Sequence, residues 1–219
     1  MAVLRVRHCR ALLYCRRVPA RCPACGGDLR GAGLAAAPVR LHCPFRHGHG
    51  QPRAFLIRPT RGTFLDGYDG HCDLHVGITN SQGVVYNYDQ EGVHRDGSGW
   101  EQCISVPLVQ PHMWELLQQW DKLLEEFSLE EAWLPHRYEE QQHNCYTFGL
   151  AFINRVRQGR GGAALSKAEF TESFLLARTR EASRYLGLQQ QLAHRDVYIV
   201  PLAEQEQDSV AGNHSLLLE

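Results

Sequence analysis

Cys145, in the stretch Gln142-His143-Asn144-Cys145-Tyr146-Thr147-Phe148, is the residue whose setting most favours chemistry. Asn144 is a helix-capping type, and Phe148, Phe152, Ile153 and Val156 recur at helical spacing, so the thiol falls in the first turn of a helix. There the helix field and unpaired N–H groups can bring a cysteine pKa from about 8.5 down to roughly 3.5 to 7.5, provided that histidinium stands nearby. The thiolate is a nucleophile, and it needs a base. His75 fits the role of base and then of acid for the leaving group, and Asn87 that of holding the ring in the useful tautomer. An oxyanion would meet the N–H of Cys145 and the amide of Gln142 or Asn144. His143 would stand at the rim, because adjacent residues diverge around a helix start.

A hairpin has to bring His75 and Asn87 together. Leu74, Val76 and Ile78 alternate with His75, Gly77 and Thr79, the period of a half-buried strand, and Val84-Val85-Tyr86-Asn87-Tyr88 follows a turn at Asn80-Ser81-Gln82-Gly83. A three-residue loop closed by a left-handed Gly83 aligns Leu74, Val76 and Ile78 with Val84, Tyr86 and Tyr88. His75, Gly77, Val85 and Asn87 then share the opposite face. An even loop would bury the Asn87 amide among aliphatics. The catalytic set closes if the helix headed by Cys145 packs on the face of His75.

A different chemistry is written in the first fifth of the chain. Cys22-Pro23-Ala24-Cys25-Gly26-Gly27 is a metal knuckle: two thiolates two residues apart can hold one zinc, and the glycines let the backbone turn its N–H groups toward sulfur. The short strands before it offer His8, Cys9 or Cys15, and Leu41-His42-Cys43-Pro44-Phe45-Arg46-His47-Gly48-His49 offers more. The preferred set is Cys9, Cys22, Cys25 and His49, with Cys43 or His47 as substitutes. A segment of about 50 residues buries too little surface to stand alone, so a metal or docking must hold it.

Composition sets the frame. The chain has 219 residues, 43% of them hydrophobic, enough for one full core and a small appendage. A net charge of -1 argues against nucleic-acid binding, although arginines cluster before residue 62. No apolar run approaches the roughly 18 residues of a membrane span, and Arg5, Arg7 and Arg10 break any signal-peptide pattern. The chain reads as soluble and intracellular, in cytoplasm or nucleus, where eight cysteines are mostly reduced thiols.

Around the hairpin, Ala54-Phe55-Leu56-Ile57 and Cys103-Ile104-Ser105-Val106 read as strands. Met113, Leu116, Leu117, Trp120, Leu123, Leu124 and Phe127 form the apolar stripe of a helix. Ser166-Lys167-Ala168-Glu169 is a capping box, residues 179–193 another helix, and Val197-Tyr198-Ile199-Val200 a closing strand covered on both faces. The fold class is α+β, with a zinc-ribbon-like segment over 1–52, a main domain over 53–202 and a disordered tail over 203–219.

Two resemblances join these residues. From His8-Cys9 and Cys22-Pro23-Ala24-Cys25 through Asp73-Leu74-His75-Val76-Gly77-Ile78-Thr79-Asn80 to Trp133-Leu134-Pro135-His136-Arg137-Tyr138 and His143-Asn144-Cys145-Tyr146, the chain resembles the makorin-2 opposite-strand family, a likeness that implies no activity. More distantly, His75 on a strand before Asn144-Cys145, with Phe148 three residues on, is similar to the circularly permuted papain-like group, of NlpC/P60 type. That group includes the PPPDE-type thiol peptidases and the lecithin-retinol acyltransferase-like enzymes. Asn87 stands where the acyltransferase-like members carry a second histidine, and Tyr146 and Thr147 depart from the more polar residues usual there. This resemblance implies a thiol hydrolase of amide or isopeptide bonds. The alternative is a catalytically silent module, a pseudoenzyme, that holds a protein or peptide partner. Neither reading calls for nucleic acid or a membrane.

Overall fold

The computed structural model describes residues 2–30, 34, 36–68, 70, 72–202, 217 and 218. It is a mixed α+β structure whose strands form two antiparallel sheets. The chain divides into two compact units, Met1–Pro44 with Glu181–Asn213, and Phe45–Arg180 with His214–Glu219. The first unit thus runs to Pro44 and takes in a second stretch from Glu181.

In the first unit, β1 (Val3–His8) and β2 (Ala11–Cys15) form a hairpin, β3 (Val39–Leu41) adds to the free side of β1, and the last strand, β9 (Val197–Pro201), pairs with β2. Val6, Leu13, Cys15, Cys22 and Leu29 make a small core. The closing strand expected to complete the main sheet completes this one instead, with Cys15 opposite Val197 and Ala11 opposite Pro201. An alternating apolar pattern identifies a strand but not its partner.

The second unit carries a five-stranded sheet in the order β7-β6-β5-β4-β8. Its strands are β4 (Ala54–Pro59), β5 (Leu74–Thr79), β6 (Val85–Asp89), β7 (Gly92–Asp96) and β8 (Ile104–Pro107). Gly77 faces Asn87 and Thr79 faces Val85. Asn80 N donates to Val84 O at 3.0 Å, and the loop closes through Gly83 at φ +83°. A side chain at Gly83 would meet the His49 carbonyl oxygen at 2.0 Å as well as strain the backbone.

Two helices cover one face of this sheet. α1 (Trp114–Ser128) buries Leu116, Trp120, Leu124 and Phe127, a stripe at i, i+4, i+8 and i+11. α2 (Cys145–Gly159) buries Phe148, Phe152, Ile153 and Val156. Trp120 meets Phe152 edge to face at 5.0 Å between centroids, and the Trp120 indole N–H donates to Thr79 O at 2.8 Å. The Ser166–Glu169 capping box starts α3 (Lys167–Phe170), which runs through a π-helical turn at Thr171–Leu175 into α4 (Leu176–Ala193). Of the tail, residues 203–216 and 219 lie outside the described residues. Leu217 and Leu218 are buried, with Arg157 Nη1 donating to the Leu217 carbonyl and Arg160 Nε to that of Leu218 at 3.3 Å. Among the described residues, no helix is long and apolar enough to cross a membrane.

Candidate functional site

Asn144 caps α2 as its residue type requires. With an extended backbone at φ -127°, its Oδ1 accepts from Tyr146 N at 3.0 Å and Thr147 N at 3.1 Å, so Cys145 is the first residue of the helix. The Cys145 thiol is buried and faces the N–H groups of Val76, Tyr146 and Cys145 itself. Burial pushes the thiol up, against the pull of these donors, and Asp89 adds to the rise. Gln142 N donates to Glu139 Oε2 at 2.6 Å, and the Gln142 side chain is exposed. His143 stacks on Trp133 at 4.7 Å and hydrogen-bonds the Ala132 carbonyl through Nε2 at 2.7 Å, which holds it against the connection before α2.

His75 and Asn87 share a face, diagonally placed on β5 and β6. His75 Nε2 donates to Asn87 Oδ1 at 2.8 Å, Asn87 Nδ2 donates to Asp96 Oδ2 at 2.9 Å, and Trp100 Nε1 donates to the same oxygen at 2.9 Å. Arg58 lies 4.6 Å over the Trp100 ring and donates to Gly99 O at 2.7 Å. Burial pushes the His75 pKa down, Asn87 pulls it up, and the Arg58 charge lowers it further, so the ring is held neutral.

This network and the body of α2 lie on different faces of the sheet, while the thiol at the head of α2 reaches the Val76 N–H. Phe55 pairs with Ile78 in the β4–β5 register, and a side chain at Gly149 of α2 would lie 2.7 Å from the Phe55 ring and 3.7 Å from Ile78. Tyr88 meets Phe148 at 6.1 Å, so α2 covers the face of Val76, Ile78, Tyr86 and Tyr88. The opposite face carries His75, Gly77 and Asn87 and is closed by Trp100, packed with Leu56, Val85 and Cys103. The structure therefore brings His75 and Asn87 together, and brings Asn144 to Cys145, but draws no hydrogen bond between His75 and Cys145. The expectation that helix and histidine share one face is corrected here. Asp96 and Trp100, which complete the network, are missed in the sequence because Gly92–Asp96 pairs as β7 through a two-residue turn that the reading passes over.

In the first unit, His8, Cys9, Cys22 and Cys25 bring their ligand atoms within 4.8 Å of one another, a group that can hold a metal ion. Cys9 and Cys22 sulfurs are 3.6 Å apart, and Cys25 Sγ lies 3.5 Å from His8 Nδ1. A tetrahedron with zinc–sulfur bonds of about 2.3 Å and zinc–nitrogen bonds of about 2.0 to 2.1 Å has edges of roughly 3.5 to 3.8 Å, so the spacing fits. The knuckle is closed by Gly26 N to Cys22 O and Cys22 N to Gly27 O, both 2.8 Å. Burial raises the Cys22 thiol, but the N–H groups of Ala24 and Cys25 with the His8 and Cys9 side chains outweigh it and bring the pKa to about 6. His8 takes the place expected for His49, whose Nδ1 hydrogen-bonds Gly83 O at 2.7 Å in the second unit. Strand alternation sets His8 and Cys9 on opposite faces, yet positive φ at Cys9 (42°) and Arg10 (63°) curls the hairpin tip so that both reach the knuckle.

Comparison with known proteins also divides the chain in two. Residues 2–29 match the family model DUF4796 N-terminal, and residues 38–192 match DUF4796 C-terminal. The chain belongs to the DUF4796 family. It is 48% identical over 211 residues to the Homo sapiens protein named MKRN2 opposite strand protein, spanning 96% of this chain and 95% of that one. No solved structure matches the chain. In this DUF4796 chain the four clustered ligands all lie in the N-terminal match, and Cys145, His75 and Asn87 all lie in the C-terminal one.

Proposed function

We propose that the chain is a catalytically silent protein-binding module, built on the permuted papain-like plan and stapled in its first unit by one zinc ion. The observation that carries this is the packing of α2 on the face of β5 and β6 opposite to the His75–Asn87 pair. Thiol catalysis needs a base within hydrogen-bond reach of the sulfur; no hydrogen bond joins Cys145 to His75, which lies on the face that the body of α2 leaves uncovered, and His143 is held by the Ala132 carbonyl. A cysteine hydrolase cleaving amide or isopeptide bonds keeps in its favour the three N–H groups around Cys145 and the unprotonated Nδ1 of His75, but no hydrogen bond links that ring to the sulfur. The papain-like plan is supported by the order of parts: a histidine on a strand, then Asn-Cys at a helix start, then phenylalanine three residues later.

Zinc is supported by the ligand set. Three thiolates and an imidazole select a soft, four-coordinate ion over magnesium or calcium and leave no open position, as in structural sites. Three of the four ligands sit on short turns beside the cluster of Val6, Leu13, Cys15, Cys22 and Leu29, so metal binding would contribute directly to folding. The partner is a protein or peptide, met inside the cell where these thiols stay reduced.

Alkylation by iodoacetamide, followed by mass spectrometry from about pH 6 to 10, tests the silent reading. Cys145 is expected to react only above about pH 8.5, as an ordinary or buried thiol does, with no change in His75→Ala. Fast alkylation near pH 6.5 that disappears in His75→Ala would overturn the proposal and restore the hydrolase. Metal analysis of the full chain is expected to find about one zinc, and a metal-free folded chain removes the staple.

A further inference from the structure

The formal charge of -1 conceals a strong imbalance. The sequence of the first unit, residues 1–44 and 181–213, holds ten arginines against Asp28, Glu181, Asp196, Glu204, Glu206 and Asp208, and both lysines of the chain, Lys122 and Lys167, lie in the second unit. Among the described residues, Arg16, Arg17, Arg30 and Arg195 line one open cleft of about 750 Å³ together with Asp196, and Arg30 pairs with Asp28 at 3.3 Å. Val18 and Val197 line it between the charges. The Arg195 guanidinium carbon lies 5.7 Å over the Tyr198 ring, within cation–π range.

We infer that this cleft binds an acidic peptide in extended form, reading its carboxylates, and that the metal site gives the cleft its shape. The inference rests on the binding-module reading and names the chemistry of the partner. Arginine presents a planar fork that pairs with a carboxylate through two parallel bonds, and a site whose cations are all arginine uses that geometry rather than point charge. Apolar side chains between the forks suit a polypeptide whose acidic and small apolar residues alternate. Single-stranded nucleic acid needs aromatic platforms for its bases, and the lining contains none.

The link to the metal is covalent and short. Arg16 and Arg17 follow directly on Cys15 and enter the knuckle at Cys22, and Arg30 leaves it after Gly27. Leu29 N donates to Ala20 O at 3.0 Å, and Arg21 bridges to Asp28, so the two arms that carry the arginines are the two arms of the knuckle hairpin. An ion shared by His8, Cys9, Cys22 and Cys25 ties that hairpin to the β1–β2 turn. Without the ion, the walls lose their common anchor.

Fluorescence anisotropy on the zinc-loaded full chain tests this, with a labelled peptide of alternating glutamate and alanine and its glutamine counterpart. The glutamate peptide is expected to bind in low salt, more weakly as salt rises, and the glutamine peptide not at all. Arg16→Gln with Arg17→Gln, and separately Arg195→Gln, are expected to weaken binding about tenfold or more while zinc content stays the same. A chelator is expected to abolish binding. Equal binding of the two peptides, indifference to the arginine substitutions, or binding that survives chelation overturns the inference. So does tighter binding of labelled oligo(dT) or ready displacement of the peptide by inorganic phosphate. Failure of the unsubstituted chain to bind the glutamate peptide while it holds zinc and alkylates slowly at Cys145 sinks the cleft alone, whereas fast, His75-dependent alkylation sinks the module reading whatever the peptide does.

Discussion

His75 Nε2 donates to Asn87 Oδ1 at 2.8 Å on the face of β5 and β6 that α2 leaves uncovered. The bond fixes the tautomer: Asn87 offers its oxygen to His75 because its nitrogen is committed to Asp96, so His75 carries its proton on Nε2. The same bond leaves Nδ1 unprotonated, and the ring lies 5.7 Å from that of Trp100.

The ring makes folding depend on pH. Burial lowers the His75 pKa, with Asn87 opposing and Arg58 reinforcing, whereas a histidine in the unfolded chain titrates near about 6.5. Between the two values the unfolded state binds more protons, so stability rises with pH. The contribution of His75 is complete above pH of about 6.5 and is lost as pH falls toward the folded pKa. Urea denaturation of His75→Gln should show a shallower loss of stability over that window than the original chain, and equal slopes would show that the ring pays no desolvation cost.

Removing the cap of α2 should be felt locally. Asn144→Ala leaves Tyr146 N and Thr147 N without their acceptor and should cost about 1 kcal/mol, while Asn144→Asp should retain most of it. Chemical denaturation measures both, and an Asn144→Ala loss no greater than that of Asn144→Asp would show that the cap contributes little.

Gly149→Ala sets helix propensity against packing. In an exposed helix the change stabilises by roughly 0.8 to 1.0 kcal/mol. Here the added methyl would stand 2.7 Å from Phe55 Cε2, in a ring held between α2 and α3, and overpacking of that kind costs typically 1 to 3 kcal/mol. A lower melting temperature is expected, and a higher one would mean that α2 can lift from the sheet at little cost.

The metal site separates two histidines. His8→Ala should lose zinc, because His8 Nδ1 lies 3.5 Å from Cys25 Sγ, and His49→Ala should keep it, because His49 serves the Gly83 carbonyl. Zinc released from each variant on thiol modification, read with a colorimetric chelator, distinguishes them. The reverse result would return His49 to the ligand set.

Local patterns in the sequence carried much of this structure. Capping chemistry and helical spacing place Cys145 at the head of α2, and the odd-length loop through Gly83 puts His75 and Asn87 on one face. The Ser166 capping box and the α1 stripe were legible for the same reason, since each depends on residues within a turn or two of each other. The pairing of β9 with β2 was not, because some 180 residues separate Cys15 from Val197 and a strand pattern names no partner.

By itself the sequence determined which side chains alternate to which face, which residue heads the helix, and that Cys22 and Cys25 sit on one tight turn. Only the tertiary structure decided which face α2 would cover. Both faces of β5 and β6 have apolar partners, one in Phe148 and Phe55, the other in Trp100 and Leu56, so burial alone does not choose between them. It likewise chose His8 for the metal group, because a left-handed turn at Cys9 and Arg10 overrides the alternation that keeps His8 and Cys9 apart.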